Sequence, residues 1–200
     1  MIVLDDLVIP STTASAAALE LASAYQSPSL QSHSHRVFIW AAAYAREHDI
    51  AYDAELLFVA AMLHDIGLVP EFDNHTLSFE EAAGHIARVF ATGAGWPAAR
   101  RDRLAEVIVR HMWPEVDATT DPEGHLISRA AALDIAGKNP DDFTPAFRAE
   151  VLAKHPRLNL VEEFLTCFKS QATRKPTSSA ARAINSNLDS RMLTNPLDAN

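Results

Sequence analysis

The chain has 200 residues, 48% apolar and 22% charged, which is the composition of about one ordinary folded domain and excludes a disordered or fibrous chain. A net charge of −9 repels polyphosphates, and the single cysteine, Cys167, excludes an internal disulfide and any paired-cysteine metal motif. No apolar run approaches the ~20 residues of a bilayer span, and MIVLDDLVIP lacks the basic start of a signal peptide, so a cytoplasmic chain with no nucleic-acid or membrane partner is expected.

Helical periodicity runs through nearly the whole chain and no stretch keeps the strict alternation of a strand, which predicts an all-α fold. The first helix spans about Ser15 to Tyr25 and the second about His33 to Glu47. Asp53 N-caps a third helix that ends at Gly67, a residue type suited to the left-handed position after a helix. Ser78 and Glu81 form a capping box that opens a fourth, which stops near Gly93. Pro97 takes the first position of a fifth, which reaches Met112 ahead of Trp113-Pro114. A sixth runs from Leu126 to Ala136 and is closed by Gly137. Thr144-Pro145 starts a seventh that ends before Pro156, and Asn159 with Glu162 caps an eighth. From Lys175 onward Pro, Ser, Thr and Asn dominate. The expected division is a metal-binding domain over residues 1–175 and a loosely docked tail over 176–200, with one weak helix at Ala180 to Ile184.

Most of the nine histidines fall between Ser32 and His125, and without paired cysteines any metal must be held by histidine and carboxylate. The third helix, AELLFVAAMLHDIG, is apolar all round, which places it in the middle of the domain with His64 and Asp65 at its end. An ionised carboxylate buried there needs a cation, and the helix C-terminus adds a negative potential that favours one. A divalent metal satisfies both residues; a hydrogen-bonded pair that only shapes the core is the alternative. Asp134, alone in the apolar AAALDIAG, poses the same problem. Sharing one cation with Asp65 solves it, against a salt bridge from Arg129 or Lys138. His33 lies on the core face of the second helix with Val37, Trp40 and Tyr44, whereas His35 leads toward Arg46 and solvent. His33 is therefore the favoured remaining ligand, and the set His33, His64, Asp65 and Asp134 suits Zn, Fe or Mn.

The order of His33, His64-Asp65 and Asp134 on an all-helical chain resembles the HD-domain superfamily of metal-dependent hydrolases. Ile9-Pro10, HSHRVFIW, Met62 to Gly67, Phe79-Glu80, Val109 to His111 and Leu133 to Gly137 look like its cyanamide hydratase branch, over about Ile9 to Pro176. Ser32 and the stretch Ala83-Gly84-His85 depart from the hydratase pattern, which has Asn at the first place and Gly-Ala followed by an acid at the second. The resemblance implies a helical bundle of about seven to nine helices and one divalent metal on His33, His64, Asp65 and Asp134. Zinc is the usual choice, with iron or manganese as alternatives, and an open position is left for water or a small-molecule substrate.

His111 closes the apolar stripe of Leu104, Val107 and Ile108 and so faces inward; its family counterpart lies beside the metal. His111 is the candidate general acid/base, Asp65 a second proton carrier, and Glu80, flanked by Gly84, Ala87 and Ala91, a further catalytic candidate. Arg36 is expected to pair with a buried acid, and the segment from Met112 to Gly124 to form part of the wall around the metal. His75, His85 and His125 lack the paired spacing of a second metal site. The expected reaction is addition of metal-activated water to a small nitrile. The alternatives are a phosphohydrolase acting on a nucleotide or other phosphoester and a non-catalytic ligand-binding module. A phosphohydrolase needs Lys or Arg near the metal, and the sequence places these on outer faces.

Overall fold

The computed structural model describes Leu4 and residues 7–198, and among these every helix and turn belongs to an all-α architecture without strands. Helices α1 (Thr13–Tyr25), α2 (Pro28–Glu47), α3 (Ala54–Leu63), α4 (Phe79–Gly93) and α5 (Ala98–Arg110) precede α6 (Pro122–Ala136). They are followed by α7 (Pro145–Lys154), α8 (Leu160–Arg174), α9 (Ser179–Asn185) and α10 (Leu188–Leu193). Helix α3 is the hub: every residue from Leu56 to Leu63 is buried, and α1, α2, α4, α5 and α6 all pack against it. Its lack of a polar side leaves it nowhere to sit except the centre. No helix of the described residues is long and apolar enough to cross a membrane.

Helix starts follow side-chain caps. The Asp53 carboxylate accepts from the Leu56 N–H, Thr144 from Phe147, and Glu81 reaches back to the Ser78 N–H as the capping box requires. Two helices begin earlier than the sequence reading placed them. Ser27 caps α2 with Pro28 in its first turn, and Asp121 caps α6 with Pro122 in its first turn. Pro97 is the N-cap of α5 and not its first residue, and the Asn159 side chain makes no capping bond at α8.

Gly137 adopts the left-handed φ of 63° expected of a helix-ending glycine. Gly67 does not. It sits in a 3-10 turn, Ile66–Leu68, where a Cβ would lie 2.1 Å from the Phe79 carbonyl oxygen. Glycine is needed there because the start of α4 presses against the backbone that follows the His64-Asp65 pair. Gly67→Ala is expected to cost about 1–3 kcal/mol or more, as overpacking against rigid backbone does, read as a lower denaturation midpoint. An unchanged midpoint would show that the two segments can separate freely.

The C-terminal segment is not loosely docked. Ala180, Leu188, Met192 and Leu197 are buried, and the tail forms two short helices where one was expected, which brings the α-helices among the described residues to ten. Its polar residues do the docking: the Asn195 amide donates to the carbonyls of Asp134 and Ile135, and Asp198 pairs with Arg157 at 2.6 Å. A composition rich in Ser, Asn and Pro conceals this, because these side chains satisfy exposed carbonyls and helix ends as readily as they face water.

Candidate metal centre

Three helix segments converge on one buried point. Helix α2 supplies His33, the end of α3 supplies His64 and Asp65, and the end of α5 supplies His111. Each histidine is fixed through Nδ1. His64 Nδ1 lies 2.8 Å from the Ala61 carbonyl, His111 Nδ1 faces the Ile108 carbonyl, and His33 Nδ1 lies 2.7 Å from Asp134 Oδ2. Carbonyl and carboxylate oxygens only accept, so all three rings carry a proton on Nδ1 and turn Nε2 inward, where a neutral ring offers a lone pair.

The inward atoms are close together. His33 Nε2 and His64 Nε2 are 3.1 Å apart, and Asp65 Oδ2 is 3.2 Å from each, yet this buried oxygen accepts no hydrogen bond. Two ring lone pairs and a carboxylate oxygen facing one another in a dry interior repel unless a cation stands among them. A divalent metal fits that donor set, with His33, His64 and Asp65 as its ligands. It is the one cluster of three metal-type side chains among the described residues, and His75, His85 and His125 form no second.

Asp134 has a different place from the one expected of it. Its Oδ1 accepts from Arg36 Nε at 2.8 Å and Trp40 Nε1 at 3.0 Å, and its Oδ2 from Arg36 Nη2 and His33 Nδ1, both at 2.7 Å. No oxygen is left for a cation. Asp134 instead orients His33 from behind, and the salt bridge comes from Arg36, while Arg129 pairs with Asp142. The expectation that Arg36 pairs with a buried acid is met.

Electrostatics follow the same division. Burial pushes the Asp134 carboxyl up, but Arg36 and His33 outweigh it and hold the pKa well below the usual range. Burial likewise opposes ionisation of Asp65, which His64 and His33 overcome, leaving it an anion. For His33, burial lowers the pKa, but the bond to Asp134 and the negative charge of Asp65 beside it outweigh burial and raise it as long as no cation stands among these groups. For His111, burial and His64 dominate and lower the value to about 4, so this ring is neutral at pH 7 with Nε2 3.6 Å from Asp65 Oδ1.

The site opens on a cavity of about 400 Å³, within the roughly 300–1,000 Å³ of small-molecule pockets. His33, His64, Asp65 and His111 line it together with Met112, Trp113, Pro114 and Val116, so the wall expected between Met112 and Gly124 is present in its first half. Phe164 and Phe168 of α8 and Ala183, Leu188 and Arg191 of the tail close the other side. Glu80 is not among the lining residues. Its carboxylate, pushed up in pKa by burial, accepts from the Ser179 hydroxyl at 2.6 Å and ties α4 to α9, so its placement as a catalytic group is corrected to a structural one.

Compared with known protein families, residues 30–136 match the HD domain, just over half of the chain. The chain belongs to the HD-domain family. Members of the family are generally metal-dependent hydrolases that bind a divalent metal, in keeping with the inward donors of His33, His64 and Asp65. A comparison with curated proteins finds no match. The HD domain contributes all four polar groups around the metal point, whereas Phe164, Phe168, Ala183, Leu188 and Arg191 lie beyond its matched limits.

The charge of the cavity differs from the placement of Lys and Arg on outer faces expected from the sequence. Arg129, Lys138 and Arg191 line it, against Asp65 and Glu115. Arg191 is reached only through the tertiary docking of α10 and has no sequence signal, while Lys138 immediately follows the helix-ending Gly137 and lines the cavity.

Proposed function

We propose that this HD domain is a zinc-dependent hydratase that adds water to the nitrile carbon of a small molecule held in the cavity. The observation that carries the reading is His111: a neutral imidazole with a free Nε2, facing the cavity beside Asp65. A merely structural metal has no need of an adjacent unprotonated base. When bound, the divalent cation supplies Lewis acidity and a water of lowered pKa. His111 Nε2 takes a proton from the attacking water while Nδ1 stays anchored on the Ile108 carbonyl. The resulting imidazolium is stabilised by the Asp65 carboxylate, and the proton is then returned to the substrate nitrogen. For cyanamide, the water oxygen bonds to the nitrile carbon, the carbon–nitrogen π bonds open, and both water protons end on nitrogen, giving urea with no leaving group.

A second reading, phosphoester hydrolysis, is favoured by Arg129, Lys138 and Arg191 in the cavity wall. The deciding assay measures urea formation from cyanamide and phosphate release from nucleotide monophosphates with the same zinc-loaded sample. Hydration that disappears in His111→Ala while metal content stays unchanged is the expected result. Rapid phosphate release without urea would replace hydration by phosphoester hydrolysis.

A further inference from the structure

We propose that the substrate carries an anionic group, a carboxylate or a phosphate, and that Arg191 and Lys138 hold it while the reactive end faces the metal ligands. The inference rests on the reading of this cavity as the substrate site and adds what kind of molecule fills it.

Size is the first argument. Cyanamide takes the space of a few waters, at roughly 30 Å³ each, and leaves most of the cavity of about 400 Å³ unfilled. A larger molecule uses the apolar surfaces of Met112, Ile135, Phe164 and Leu188 for its body. Charge is the second. The protein as a whole carries −9, yet three cations and two carboxylates line the cavity. Arg129 is committed to Asp142 and lies over the Tyr44 ring, so it is already neutralised. Arg191 and Lys138 make no ion pair among the described residues, whereas Arg129 does.

The third argument is an unmet hydrogen bond. Arg191 Nη2 donates to the Ser186 carbonyl at 3.1 Å, but its Nε is buried and donates to nothing. A guanidinium with one carbonyl acceptor and no carboxylate beside it keeps donors to offer, and an oxygen anion in the cavity that Arg191 lines can take them. Guanidinium recognises carboxylate and phosphate by the same charge-assisted bonds, so both are candidate groups. Placement gives the fourth. Arg191 is on α10 and Lys138 just after α6, both outside the matched HD region, so the anion is held by side chains beyond the domain that supplies the metal ligands.

The test uses the full-length, zinc-loaded protein and three probes sharing one nitrile: 3-cyanopropanoate, 2-cyanoethyl phosphate and neutral 3-cyanopropanamide. Affinity is measured by calorimetry, and amide formation and phosphate release are followed in parallel. At least one anionic probe is expected to bind about tenfold or more tightly than the neutral one, and the better of the two identifies the group. Arg191→Gln and Lys138→Gln should each erase most of that preference with metal content and melting temperature unchanged, and Arg191→Lys should keep part of it. Equal affinity for all three probes would overturn the proposal. So would an anion preference that survives both Gln substitutions, since the anion would then be bound at the metal. A preference lost in the variants but unaccompanied by amide formation would uphold the anion site and remove the hydration reading.

Discussion

Asp134→Ala is expected to destabilise the protein by about 3–5 kcal/mol, the usual cost of removing one partner from a buried ion pair. The reason is the Arg36 side chain, fully buried and bonded to both oxygens of Asp134, which would be left with only the His155 and Pro156 carbonyls as acceptors. Arg157, 3.6 Å from the same carboxylate, keeps its own partner in Asp198, so the stranded charge is that of Arg36. The sign of the pH dependence follows from the lowered pKa of Asp134. Its contribution is fully present above the ordinary carboxylate value of about 3.9 and declines as the pH falls below that, so parent and variant should converge in acid. Denaturant titrations at pH 7 and pH 3 measure both effects. A variant as stable as the parent at pH 7 would mean that Arg36 finds its partners elsewhere. His33 also loses its orienting carboxylate, so metal affinity should drop about 10–100-fold in any fraction that folds.

His64→Ala is expected to abolish metal retention and, if the proposed nitrile hydration is the reaction, to reduce it to the uncatalysed rate. It removes one of the two histidine ligands, and the remaining pair, His33 and Asp65, leaves too few donors for a stable three-ligand site. His35→Ala is the matched control. His35 is two residues from His33 but turns away, stacking on His155 with ring centroids 4.8 Å apart. Elemental analysis and the urea assay on both variants separate the two roles, and a metal-loaded His64→Ala would place the cation on other residues.

The parts of this arrangement that depend on local pattern were legible in the sequence. An all-apolar α3 predicts its own burial, the spacing of His33 with Val37 and Trp40 selects the histidine that is buried beside His64 and Asp65 over His35, and Ser78 with Glu81 announces α4. What the sequence could not resolve is which polar group faces which. Asp134 and Asp65 look alike as lone acids in apolar helices, and only the fold shows that one is saturated by Arg36 and Trp40 while the other keeps a bare oxygen. Glu80 was misplaced for a related reason: small neighbours predict a close helix but not which one, and the partner is α9 of the tail. Gly67 satisfies a close backbone approach, which leaves no mark that distinguishes it from a helix-ending glycine. Arg191 reaches the cavity only through the docking of a polar tail, a contact between residues far apart in the chain.

The central claim is that the inward lone pairs of His33, His64 and the Asp65 carboxylate exist to hold a cation. Elemental analysis of protein purified without chelator, then offered zinc, iron and manganese in turn, tests it directly. About one divalent ion per chain is predicted, retained through dialysis and released when the protein is acidified and the ligands protonate. A folded chain that takes up none of the three metals would contradict the claim and leave His33, His64 and Asp65 as a hydrogen-bonded core cluster.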